Sequence, residues 1–270
     1  MSTSSRPVRL ATFLGILIGV VLPIAPLLVW SVSRSWWFPE ILPDELSGRA
    51  WEYVFTAGSG VGEAFGNSML ISVLVCLLCL LLGVPAGRAL GMYKFRGKAL
   101  LEFVIIAPLI VPPLAVIMGI HIFFIRTGLV DTLLGVVISH LIPTLPYMVV
   151  VMKSVFSNYD VSYEQQARSL GAGKYQTIFR VTLPMVYPGI ITGSLFVILI
   201  SWSQYILTLL IGGGRVVTLP VLLFSFATAG DNALTGALSV LFLIPAAIIL
   251  SLTSRFLTGR SIAMSAAGKV

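Results

Sequence analysis

Residues 157–188 read SNYDVSYEQQARSLGAGKYQTIFRVTLPMVYP, a polar and basic stretch between two long apolar runs. Ser162 stands three residues before Gln165. This is the capping-box spacing, in which each side chain serves a free backbone N–H of the other residue. A helix of two turns is therefore expected over Tyr163–Leu170, and Gly171 is placed to end it in the left-handed conformation that a Cβ resists. Tyr175, Ile178 and Phe179 then recur at helical spacing and predict a second short helix over about Lys174–Thr182. Leu183-Pro184 is expected to break that helix. Two short amphipathic helices joined by a glycine elbow have a form that seats in a groove on another protein.

The runs on either side are long enough to cross a bilayer. A spanning helix needs about 20 mainly apolar residues, because the hydrocarbon core is ~30 Å thick. Six stretches qualify: Leu10–Val32, Asn67–Leu90, Leu101–Phe124, Leu133–Phe156, Tyr187–Ile211 and Ala233–Phe256. Of the 270 residues 57% are apolar and only 10% charged, with a mean hydropathy of +1.02. A soluble domain carries roughly 25% charged residues, so the composition excludes a soluble globule. The expected fold is all-α: one integral membrane domain over 1–270, with six transmembrane helices and a two-helix loop at about 157–186. Arg6 and Arg9 give the first stretch a basic start like that of a secretory signal. Its apolar part exceeds the usual h-region of about 7–15 residues and no A-x-A-like site follows, so it is expected to remain as the first span.

Charge sets the orientation. The net charge of +7 does not form an interleaved basic face, which argues against nucleic acid; it sits in alternate connections. Arg6 and Arg9 precede the first span, and Arg88, Lys94, Arg96 and Lys98 follow the second. Lys153, Arg168, Lys174 and Arg180 follow the fourth, and Arg255, Arg260 and Lys269 lie in the tail. By the positive-inside rule these are cytoplasmic, and so are both termini. The opposite side carries Glu40, Asp44, Glu45, Glu52, Glu63, Asp131 and Asp231. These form either an ordinary solvated exterior or a docking surface for a soluble partner. Trp36, Trp37, Phe38 and Trp51 suit the headgroup layer. The apolar Leu219–Ala227 suits a re-entrant or interfacial segment.

No catalytic, cofactor-binding or metal-ligating constellation stands out. Cys76 and Cys79 lie within the apolar Met69–Leu82 without a His or Cys partner, and read as packing residues. His121 and His140 fall near the outer ends of their spans and read as interfacial. Gly171-Ala172-Gly173-Lys174 lacks the spacing of a phosphate loop. The spacings Gly83/Gly87/Gly91 and Gly189/Gly193 read as close helix packing. Pro108, Pro112 and Pro113 in the third span, and Pro143 and Pro146 in the fourth, mark either pore-lining kinks or packing kinks. Trp202-Ser203-Gln204-Tyr205 interrupts the fifth span with polar groups, which either face a substrate path or bond between helices. No Asp, Glu, Lys or Arg is central in any span. That weighs against an ion-coupled secondary transporter, the main alternative, and the scattered His, Asp and Glu weigh against a membrane enzyme.

The loop resembles the "EAA" loop of the inner-membrane permeases of binding-protein-dependent ABC importers, whose pattern is E-A-A, three residues, G, nine residues, I-x-L-P. Counted from Gly171, Gln165 stands at the family's Glu, and Gln166 and Ala167 at its alanines. Val181, Leu183 and Pro184 fill the I-x-L-P end, and Leu170 and Ala172 flank the glycine as in many members. The departure is Gln165, which removes the charge of a salt bridge; Glu164, about 100° away around a helix, is the other carboxylate on offer. The resemblance implies a type I importer permease of the branch that includes polyamine, ferric-iron, thiamine and phosphonate permeases. It would be a non-enzymatic half-channel in the bacterial inner membrane, docking through Glu164, Gln165, Gln166, Ala167, Leu170, Gly171, Ala172, Leu183 and Pro184. The partners it implies are a cytoplasmic ATPase dimer that holds ATP and Mg, a second permease chain, identical or not, and an external solute-binding protein.

Overall fold

The computed structural model describes residues 21–34 and 43–257 throughout, with Thr12, Leu14, Gly15, Ile18, Gly19, Trp36 and Glu40. These are helical apart from connections and one bridge that pairs Ser33 with Leu46. The helices are α1 (Ala25–Ser31), α2 (Arg49–Phe55), α3 (Val61–Met92), α4 (Lys98–Ile110), α5 (Pro113–Thr127) and α6 (Leu133–Ser157). There follow α7 (Ser162–Ser169), α8 (Lys174–Thr177), α9 (Leu183–Trp202), α10 (Ile206–Gly212), α11 (Leu219–Ala229) and α12 (Asn232–Leu257). Val61–Met92, Leu133–Ser157, Lys174–Trp202 and Asn232–Thr253 are long and apolar enough to cross a membrane, and α4 with α5 makes a fifth crossing if taken as one broken span. Within the expected first span, Leu10–Val32, the residues Leu10, Ala11, Phe13, Ile16, Leu17 and Val20 fall outside the described residues, as do Trp37 and Phe38.

The third expected span is not one kinked helix. Two helices meet there at 104°. Val111 and Pro112 each precede a proline, which disfavours the helical region, and both are extended, with ψ of 136° and 129°. Pro113 then opens α5, where a missing N–H costs nothing. By contrast, α6 carries Pro143 and Pro146 without a break.

The described residues fall into two compact units. The larger, Gly66–Thr218 with Ala246–Val270, is built around α6. Gly83, Gly87 and Gly91 of α3 lie against Met148, Met152 and the Lys153–Ser157 turn of α6, where an added methyl would overlap its neighbours. Gly189 and Gly193 of α9 lie in the same way against Val155 and Met148. Lipid is as apolar as leucine, so association rests on van der Waals contact, which small residues bring close. Val75, Cys79, Met148, Met152, Phe156, Val197 and Ile211 fill the core. Both cysteines are free and buried, consistent with packing.

The smaller unit comprises Met1–Phe65 with Leu219–Pro245. Gly236 of α12 lets Leu27, Trp30 and Ser31 of α1 approach closely. The Tyr53 ring of α2 meets Phe226 of α11 edge-on, with centroids 5.7 Å apart. The apolar stretch after Thr218 is thus an 11-residue helix, too short to span. Asp231 caps α12 by accepting from the Leu234 N–H at 3.0 Å and pairs with Arg49 at 2.9 Å.

Candidate coupling loop and pathway patch

The polar stretch after α6 folds as a helix, an elbow and a second helix, but its details differ from the sequence reading. The capping box of Ser162 and Gln165 does not form. Val161 is already helical, so Ser162 lies one residue too far in, and Asp160 Oδ1 instead accepts from the Ser162 N–H at 2.8 Å. That backbone hydrogen bond holds the Asp160 carboxyl below its ordinary range. The far end of α7 closes as expected. Gly171 has φ +90°, its N–H reaches the Arg168 carbonyl at 2.9 Å, and the Ala172 N–H reaches the Ala167 carbonyl at 3.0 Å. These are the two bonds of a Schellman cap.

Leu183-Pro184 does not break the second helix. The chain runs from α8 through a π-helical turn, Ile178–Thr182, directly into α9. In that turn the Leu183 N–H bonds to the Ile178 carbonyl. A proline cannot donate to the carbonyl four residues back and its ring collides with it. The wider π turn just before Pro184 relieves that crowding, so the helix continues.

Of the residues expected to dock, Gln165, Gln166 and Gly171 are exposed, and Leu170 is 89% exposed. Ala167, Leu170, Gly171 and Ala172 share a shallow cleft of about 280 Å³ at the elbow. Leu183 and Pro184 are exposed at the start of α9, apart from that cleft. Glu164 turns the other way. It is 4% exposed, with both carboxylate oxygens 2.9 Å from Arg88 Nη2 at the end of α3. Thr182 Oγ1 donates to it at 2.8 Å, and Arg168 approaches to 3.8 Å. Burial pushes the Glu164 carboxyl up, but the Thr182 hydroxyl and the Arg88 guanidinium outweigh it and hold the group below its ordinary range. The Tyr159 hydroxyl lies against the same carboxylate, and burial raises its pKa. The sequence reading missed Arg88, Thr182 and Tyr159. The available signal was helical phase, since Glu164 and Gln165 cannot face the same way.

The second candidate patch lies at a break. α9 ends at Trp202 and α10 begins at Ile206, so Ser203, Gln204 and Tyr205 join two half-helices instead of lying within one span. Trp202 is buried, Ser203 exposed, and Gln204 and Tyr205 half-buried. The break is bridged by His140 of α6, whose Nδ1 lies 3.0 Å from Ser201 Oγ and Nε2 2.9 Å from Thr208 Oγ1. Thr208 Oγ1 in turn donates to the Gln204 carbonyl at 3.1 Å. With that hydroxyl proton committed, a neutral ring carries its hydrogen on Nε2 and accepts from Ser201 at Nδ1. His140 is 1% exposed, which corrects its reading as interfacial. It sits seven residues into α6, deep enough for the bundle to enclose it. Among the described residues no group of three or more His, Cys, Asp or Glu could hold a metal ion.

Residues 83–261 match the family described as binding-protein-dependent transport system inner membrane component. The putrescine transport system permease protein PotI of Escherichia coli (strain K12) is 29% identical over 224 residues, covering 80% of this chain and 74% of that protein. The molybdenum transport system permease protein ModB of Mycobacterium bovis is 27% identical over 256 residues, covering 88% and 90%. The fold is that of a chain in the crystal structure of a bacterial ABC transporter involved in the import of the acidic polysaccharide alginate. The TM-score is 0.73 at 21% identity, over 94% of this chain and 99% of that one. The chain belongs to the inner-membrane components of binding-protein-dependent transport systems and is a multi-pass permease subunit of an ABC importer.

Proposed function

We propose that this permease forms half of a translocation path and receives ATP-driven movement through the loop at 157–186. The observation that carries this is the Schellman-capped elbow. It presents Leu170, 89% exposed, beside Gln165, Gln166 and the cleft at Gly171, on a short helix fixed to the bundle. An exposed leucine at the tip of a rigid polar lever suits insertion into an apolar groove. The partner offering that groove is a cytoplasmic ATPase, one copy for each of two permease chains, which binds ATP and Mg. This chain then performs no catalysis, both its termini are cytoplasmic, and a solute-binding protein delivers the substrate to its outer face. The path runs past Ser203, Gln204 and Tyr205, the polar side chains at the break between α9 and α10. Such a patch fits the range of cargo named for the relatives, putrescine for one and molybdenum for another.

The test is Gly171→Pro. Gly171 has φ +90° and proline is locked near −65°, so the elbow cannot keep its shape. The variant is expected to insert normally and to lose binding-protein-stimulated ATP hydrolysis when reconstituted with its cognate ATPase. Full stimulation in the variant would refute the coupling role.

A further inference from the structure

We propose that Arg88 and Glu164 are a positioning pair that fixes α7 to the end of α3, so that a push on the loop reaches the membrane helices as rigid displacement. The proposal rests on the coupling role of the loop and adds to it how force leaves the loop. α7 has eight residues, too few to be stable alone, and Glu164 is its one buried residue. The position of the lever thus depends on a carboxylate held from three sides: by Arg88 from α3, by Thr182 from the π turn that leads into α9, and more distantly by Arg168 of α7 itself. Arg88 is fixed in turn, its guanidinium 5.9 Å from the centre of the Phe156 ring near the end of α6. The cluster therefore ties the lever to α3 and α9 and abuts α6.

A buried ion pair is a poor way to gain stability, because desolvation cancels much of the attraction, and apolar residues of equal volume often do as well. What it supplies is one geometry. Removing Arg88 leaves the buried Glu164 carboxylate short of its main counter-charge, so the intact pair holds the lever in this one seat. With Glu164 turned inward, the docking surface of α7 is left with amide, apolar and cationic side chains.

The experiment uses the full chain in lipid nanodiscs, with Cys76→Ala and Cys79→Ser and spin labels at Tyr93→Cys and Ser169→Cys. The distance between labels is expected to have one narrow distribution, which broadens in Arg88→Gln and in Glu164→Gln and narrows again in Arg88→Lys. A second pair, Tyr93→Cys with Ser157→Cys, is expected to stay narrow in all of them. Unchanged widths in both glutamine variants, or equal broadening of both label pairs, would overturn the proposal. These measurements need no ATPase, so they stand apart from the Gly171→Pro test. In the assembled importer, Glu164→Gln is expected to keep its ATPase bound while stimulation of ATP hydrolysis by the binding protein falls roughly fivefold. Loss of ATPase binding would make Glu164 a docking contact and sink the idea, as would full stimulation.

Discussion

His140 Nε2 lies 2.9 Å from Thr208 Oγ1 while Nδ1 lies 3.0 Å from Ser201 Oγ, so a single imidazole holds both ends of a broken helix. His140→Ala leaves both hydroxyls without this partner in a dry site. Thr208 keeps its bond to the Gln204 carbonyl, whereas Ser201 loses its acceptor, and an unmet polar group of that kind costs about 1–3 kcal/mol. The variant is expected to unfold at lower temperature in nanodiscs. In a double-mutant cycle, His140→Ala and Thr208→Val should be non-additive, because they remove the same bond. Strict additivity would show that the two residues do not interact.

That relationship also marks where the sequence stopped being legible. The loop could be read because its spacing constrains the backbone directly: a glycine at φ +90° can be inferred from its neighbours. The spans could be read because lipid accepts little else. The break at Ser203–Tyr205 was visible only as polarity inside an apolar run, since nothing local stops a helix there and His140 is distant in sequence. The Arg88–Glu164 pair was hidden for the same reason, its partners lying 76 positions apart in the sequence. Pro184 misled for a different reason. A proline normally ends a helix, and the π turn that accommodates it has no sequence signature.

Two glycines on α3 should respond oppositely to one substitution. Gly66 has open space around its Cα, so Gly66→Ala removes backbone freedom from the unfolded chain and gains about 0.5–1 kcal/mol. A methyl at Gly87 would overlap the Met152 side chain and the Lys153 backbone, and such overpacking costs about 1–3 kcal/mol. Thermal unfolding of the two variants in the same nanodisc preparation should show shifts of opposite sign. Equal shifts would mean that α3 and α6 are not packed through Gly87.

Asp231 has two roles that substitution can separate. Its ion pair with Arg49 is partly exposed, and such pairs contribute about 0–1 kcal/mol. Its cap on the Leu234 N–H contributes about 1 kcal/mol. Asp231→Asn keeps the cap and loses the charge, so it should cost less than Asp231→Ala, and the remaining difference from wild type should shrink with added salt. If Asn and Ala are equally destabilising, the cap contributes nothing.

Glu164 has a folded-state pKa below its ordinary value, so the folded state binds its proton more weakly than the unfolded state does. By linkage, the stability it contributes is fully present above the unfolded value of about 4.3 and is lost as pH falls through the folded value. The loop should therefore stay fixed from neutral pH down through the ordinary carboxylate range and loosen only below it. A spin label at Ser169→Cys, on the exposed side of α7, reads this as a rise in mobility. In Glu164→Gln the label should already be mobile at neutral pH and lack the transition that belongs to Glu164, so that any change remaining at low pH belongs to Asp160. Asp160, which caps the same helix, also has a lowered pKa, so the glutamine variant is the control that separates the two. A mobility transition centred above the ordinary carboxylate range in the parent protein would have the wrong sign for a carboxylate held by Arg88.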